Sequence, residues 1–169
     1  HLPQDGLPYF EQVRYLVVAR DPRDVFMSLS NHHQNYTDLA YAAVDGGERV
    51  GGPMPRFDED LQRRFRSWIT RGWFEWESEG WPFWGNLRHT QTWWDYRHLP
   101  NILFVHFNDL LEDLRGQIAR VAEYLDIPTD ANDIARIAHE VTFSTVKEKA
   151  PTSFAGMDRT FRGGSDTFF

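Results

Sequence analysis

Residues 13–28, VRYLVVARDPRDVFMS, limit the possible folds of this chain more than any other stretch, because a strand pattern turns directly into a helix start with a basic residue at the junction. Val13, Tyr15, Leu16, Val17, Val18 and Ala19 form a short apolar run rich in β-branched residues, the pattern of a strand covered on both faces in a parallel sheet. Asp21 is placed to cap a helix, Pro22 fits the first helical position where a missing N–H costs nothing, and Asp24 falls in the first turn, where the helix dipole favours an acid. The fold class expected is α/β, three layers with a central parallel sheet flanked by helices.

This arrangement sets Arg20 at the carboxyl end of a strand beside the N–H groups of a helix N-terminus, the place where open α/β sheets bind anions. Ser28, four residues beyond Asp24, shares a helix face with the first turn. On the residues alone two readings stand. Arg20 and Ser28 clamp a phosphate, or Arg20 pairs with Asp24 and Ser28 is an ordinary surface residue.

The run R-D-P-R-D-V-F-M-S resembles the 3′-phosphate-binding motif of the sulfotransferases that use 3′-phosphoadenosine 5′-phosphosulfate (PAPS). The resemblance implies that Arg20 and Ser28 hold the 3′-phosphate of that nucleotide. His1-Leu2-Pro3 is similar to the K-T-H-L-P segment of the same family, whose histidine is the catalytic base, and on that resemblance His1 takes this role. The segment 101–113 is similar to L-F-L-x-Y-E-D-x-x-x-D, in which the tyrosine approaches the adenine; Phe107 stands there and keeps the ring without the hydroxyl. Val141-Thr142-Phe143 resembles the T-S-F element, which implies that Phe143 stacks on the adenine, with Val141 in place of a hydroxyl residue.

The remaining chain is read from spacing and breakers. Residues 37–56, rich in Gly and Ala, are expected to form a loop over the acceptor site. Helices are expected over 59–76, with Leu61, Phe65, Trp68 and Ile69 on one side, and over 84–97. A second strand is expected over 101–107, then a helix capped by Asn108 or Asp109 and running to 126, then a helix over 130–139. The tail 149–169 shows no periodicity and is expected to be irregular. All seven tryptophans fall between Trp68 and Trp94, a cluster that suits core packing with one or two rings reaching an acceptor. His32-His33 is not a metal pair, since neighbours on a helix point about 100° apart.

Charge and composition exclude some classes. A formal net charge of −7 argues against a nucleic-acid surface, which needs clustered cations. The absence of cysteine excludes disulfides and thiolate metal sites, and no apolar stretch approaches the length needed to cross a bilayer. A soluble, cytoplasmic protein is expected. A P-loop of the form G-x-x-x-x-G-K-[ST] is absent; the resemblance places the phosphosulfate loop and its strand before His1, and the family's R-K-G element after Phe169, so residues 1–169 read as a single, incomplete sulfotransferase domain.

The activity implied is transfer of a sulfuryl group from PAPS to a hydroxyl or amine of a small acceptor, without a metal. The aromatic wall favours an aromatic or apolar alcohol over a highly charged polysaccharide. Two other classes are compatible with the same residues: a P-loop-type small-molecule kinase, marked by an upstream Walker lysine, and a non-catalytic nucleotide-binding module.

Overall fold

The computed structural model describes residues 9–46, 52–82, 85–153 and 156–164. His1 lies outside them. The chain forms two compact units, one from the residues up to 21 together with 88–146, the other from 22–87 together with the residues from 147 onward.

The first unit is built on two parallel strands, β1 (Tyr15–Ala19) and β2 (Ile102–His106), paired from Tyr15 opposite Ile102 to Ala19 opposite His106. This is the pairing expected from two short apolar runs separated by helical segments. Around it stand α4 (Asn86–Trp94, its first two residues assigned to the second unit), α5 (Phe107–Glu112), α6 (Leu114–Tyr124) and α7 (Ala131–Glu140). Val17, Ile102, Val105, Ala122 and Ala138 are its buried apolar residues. Cover on both faces of β1 was expected. Val17 is buried, but Leu16 and Val18, which the strand pleat turns to the opposite face, are 42% and 63% exposed.

Polar contacts fix the entry to β1. The Asn101 side chain donates to the carbonyls of Phe10, Glu11 and Val13 and accepts from the Tyr9 hydroxyl at 2.8 Å. Tyr15 is held between the rings of Tyr9 and Trp93, both with centroids 5.7 Å away. Arg14 forms an ion pair with Asp126 and donates to the Tyr124 carbonyl, and Tyr124 donates its hydroxyl to the Tyr15 carbonyl at 3.3 Å.

The helix expected over 109–126 is two helices. His106 Nδ1, not Asn108 or Asp109, accepts from the Asn108 N–H at 3.2 Å and caps α5. Asp113 then ends α5 and caps α6, its carboxylate accepting from the Gly116 N–H at 2.9 Å. A Cβ at position 116 would lie 2.0 Å from Asp113 Oδ2, so a larger residue there would require the carboxylate to turn. Asp130 forms a capping box with Asp133 at the start of α7, in keeping with the helix expected from residue 130.

The second unit packs α1 (Pro22–Asn35), α2 (Asp38–Asp45) and α3 (Leu61–Thr70), with a short 3-10 helix at Met157–Arg159. The α1–α3 contact is aromatic: Phe26 lies 5.1 Å from Phe65 in an edge arrangement and 5.5 Å from Trp68, which is 2% exposed. Burying rings of this size contributes on the order of 1.5–3 kcal/mol each. Helix α3 is shorter than expected because Asp60 caps it by accepting from the Arg63 N–H at 3.0 Å, and after Arg71 the chain turns back, with the Trp81 N–H bonded to the Arg71 carbonyl at 2.9 Å.

Two expected loops hold helix. Thr37 accepts from the Ala40 N–H at 3.0 Å and starts α2, whose alanines favour helix where the flanking glycines do not. Helix α8 (Phe143–Ser153) extends into the tail, and Phe161 is buried, bridged to Tyr36 through an isolated antiparallel pairing.

His33 sits in this unit's core among Tyr36, Tyr41 and Phe57, its Nε2–H donating to the Pro55 carbonyl at 2.8 Å. Burial lowers its pKa below the usual histidine value; the Pro55 bond opposes this and the nearby Arg64 charge adds to it. Burial also lowers the pKa of His89. A histidine with a depressed folded-state pKa leaves stability intact above its unfolded pKa and removes it as pH falls, because the unfolded chain takes up the proton first. The unfolding free energy should therefore drop as pH falls below about 6.5, by at most roughly 1.4 kcal/mol per pH unit for each such group, and thermal midpoints should fall with it. Replacing His33 by Gln should flatten that dependence; an unchanged slope would remove His33 as a source.

Candidate nucleotide-binding site

Ala19 and His106, paired across the two strands, are the last residues of β1 and β2. Arg20 and Phe107 come next in the chain, so both leave the sheet at the same carboxyl edge, and the Arg20 guanidinium carbon lies 4.4 Å from the centre of the Phe107 ring. A cation over an aromatic face at this distance is attracted by the ring quadrupole and loses rotational freedom. Arg20 is thereby held at the strand ends, two residues before Pro22, the first residue of α1.

Phe107 thus has a second task that the sequence reading did not assign. It was expected to face a base; in the structure one side of its ring is occupied by Arg20. The two strands were expected, but the second was expected to run to 107; its end at His106, opposite Ala19, is what sets Arg20 and Phe107 side by side.

Ser28 lies on α1, half-buried, in the second unit. Phe143 is in the first unit, at the start of α8, and is 65% exposed. The turn before it is fixed by Thr142, whose hydroxyl donates to the His139 carbonyl at 3.0 Å and accepts from the Thr145 N–H at 3.4 Å. The paired tryptophans of α4 take packing roles: Trp93 lies against Tyr15, and Trp94 meets Phe104 edge-on at 5.5 Å. No group of side chains suited to holding a metal occurs among the described residues. No helix among them is long and apolar enough to cross a membrane.

The family model described as sulfotransferase domain matches residues 1–166. The chain belongs to the sulfotransferase domain family. Among curated relatives it is similar to a glycolipid sulfotransferase of Mycobacterium bovis, 32% identical over 97% of this chain and 57% of the relative. The chain thus spans little more than half the length of that protein. Among solved structures it is similar to retinol dehydratase in complex with androsterone and inactive cofactor PAP, with a TM-score of 0.61 at 24% identity over 91% of this chain and 39% of that one. A mouse sulfotransferase complexed with PAP gives a TM-score of 0.60 at 17% identity, over 84% of this chain and 42% of that one. These likenesses are in fold, and they agree with the parallel α/β architecture expected from the sequence.

Proposed function

We propose that this chain is part of a PAPS-dependent sulfotransferase that transfers a sulfuryl group to a hydroxyl or amine of a small acceptor. The observation that carries the reading is Arg20 held against Phe107 at the carboxyl ends of two parallel strands, in a chain of the sulfotransferase family. In this reading Arg20 and Ser28 bind the 3′-phosphate, Phe143 stacks on the adenine, and Phe107 holds Arg20 and offers the base its remaining face or edge. His1 takes the proton of the acceptor as the new S–O or S–N bond forms and adenosine 3′,5′-bisphosphate departs. The acceptor we propose is an apolar alcohol, supported by the aromatic content of residues 68–94 and by a relative named for a glycolipid substrate.

The decisive comparison is nucleotide preference. Adenosine 3′,5′-bisphosphate should bind the protein at least roughly tenfold more tightly than AMP, since an additional charge-assisted phosphate contact is worth about 1.5 kcal/mol or more. Calorimetric titration of both ligands measures this. Equal affinities would count against the reading, and tight binding of magnesium-ATP with none of the bisphosphate would point to the kinase class instead.

A further inference from the structure

Strand β2 passes into α5 without a linker: His106 is both the last residue of the strand and the cap of the helix, and Phe107 is the first helical residue. The His106 backbone is still extended, with φ −95° and ψ 139°, while its Nδ1 accepts from the Asn108 N–H at 3.2 Å. One side chain therefore bonds across Phe107, from the residue before it to the residue after it. This bond matters more than most caps, because α5 has six residues and helices shorter than about 12 residues hold together poorly by themselves. The first N–H groups of a helix have no partner inside it, so the start of α5 depends on what His106 supplies.

The residue so held is the one on which Arg20 rests. Register pairs Ala19 with His106 and brings Arg20 and Phe107 to one edge, all within the first unit. Register does not by itself turn the ring. A cation is attracted to the face of an aromatic ring and not to its edge, and the Arg20 guanidinium carbon lies 4.4 Å from the centre of the Phe107 ring, with Nε buried. Fraying of the first turn of α5 would swing that face away from the guanidinium.

We propose that His106 is a positioning residue of the nucleotide site: its Nδ1 cap fixes Phe107, and Phe107 fixes Arg20 in the conformation that meets an anion. The effect on nucleotide binding rests on the assignment of Arg20 to the 3′-phosphate; the effect on Arg20 rests on the cap and the ring contact alone. An accepting Nδ1 requires the neutral imidazole to carry its proton on Nε2. Without the cap, Arg20 spends time in conformations that do not meet the phosphate, and affinity falls with the fraction of competent molecules.

Two readouts on the ¹⁵N-labelled protein without ligand test the cap and the ring contact. A long-range ¹H–¹⁵N spectrum at about pH 8 should show His106 as the Nε2–H tautomer. The Arg20 Nε–H resonance, identified by its loss in Arg20→Lys, should lie upfield in the ring current of Phe107. It should move toward the ordinary arginine position in His106→Ala and return in His106→Asn, which restores a favoured cap. Calorimetric titration reads the consequence: His106→Ala should weaken adenosine 3′,5′-bisphosphate by at least roughly threefold with AMP little changed, and His106→Asn should recover the wild-type affinity. A proton on Nδ1, an Arg20 resonance unmoved in His106→Ala, an unchanged bisphosphate affinity, or failure of His106→Asn to restore either quantity would each overturn the proposal. Equal binding of the bisphosphate and AMP by the wild-type protein would overturn the transferase reading instead, and the Arg20 resonance would then decide the positioning by itself. If His106→Ala does not fold, His106→Gln, polar but too long for the cap position, takes its place in both comparisons.

Discussion

Replacing Arg20 by alanine should weaken binding of adenosine 3′,5′-bisphosphate by roughly 10- to 100-fold while changing AMP affinity little, because only the former carries the 3′-phosphate that a charge-assisted contact would hold. The geometry sharpens the expectation. Arg20 sits on the Phe107 ring, so its guanidinium is already restricted before the ligand arrives and less side-chain entropy is lost on binding. Arg20→Lys should recover only part of the affinity, since an ammonium presents a point charge and stacks less well on an aromatic face. Ser28→Ala should show the same ligand pattern with a smaller loss, as a neutral hydroxyl contributes less than an ion. If both nucleotides weakened equally in Arg20→Ala, the damage would be to the fold of the strand end and the assignment of Arg20 to the 3′-phosphate would fall.

His1→Ala should have its effect on the other side of the reaction. We propose that His1 is the general base, a role suited to an imidazole whose ordinary pKa is near 6.5, and its removal should lower turnover by roughly a hundredfold or more with PAPS affinity nearly unchanged. The measurement is a split between two quantities on one protein, nucleotide binding by titration and sulfuryl transfer by product formation. Full turnover in the variant would take His1 out of the mechanism. Loss of nucleotide affinity with proportionate loss of turnover would make it a structural residue of the site.

What the sequence by itself determined was local and periodic. Two short apolar runs specified two strands, the motif after the first specified a helix opening at Pro22, and Asp130 announced the start of α7, because strand pleat, helix period and capping chemistry are all written within a few residues. Family membership was also legible, carried by R-D-P-R-D-V-F-M-S. What only the tertiary structure decided were the choices between near-equal local options. Residues 114–124 and 107–112 share one apolar pattern, and the break between them depends on Asp113 reaching Gly116, which a pattern of hydrophobicity does not record. Alanines in 38–45 are helix formers next to glycines that are not, and the Thr37 cap, itself tied through its N–H to the distant Thr160 carbonyl, settled the matter. Phe107 gained Arg20 as a neighbour through strand register, and Arg64 and Trp68 met the wall of α1 through helix packing. Contacts of that kind join residues far apart in the chain, so their energy becomes visible only when the fold has brought them together.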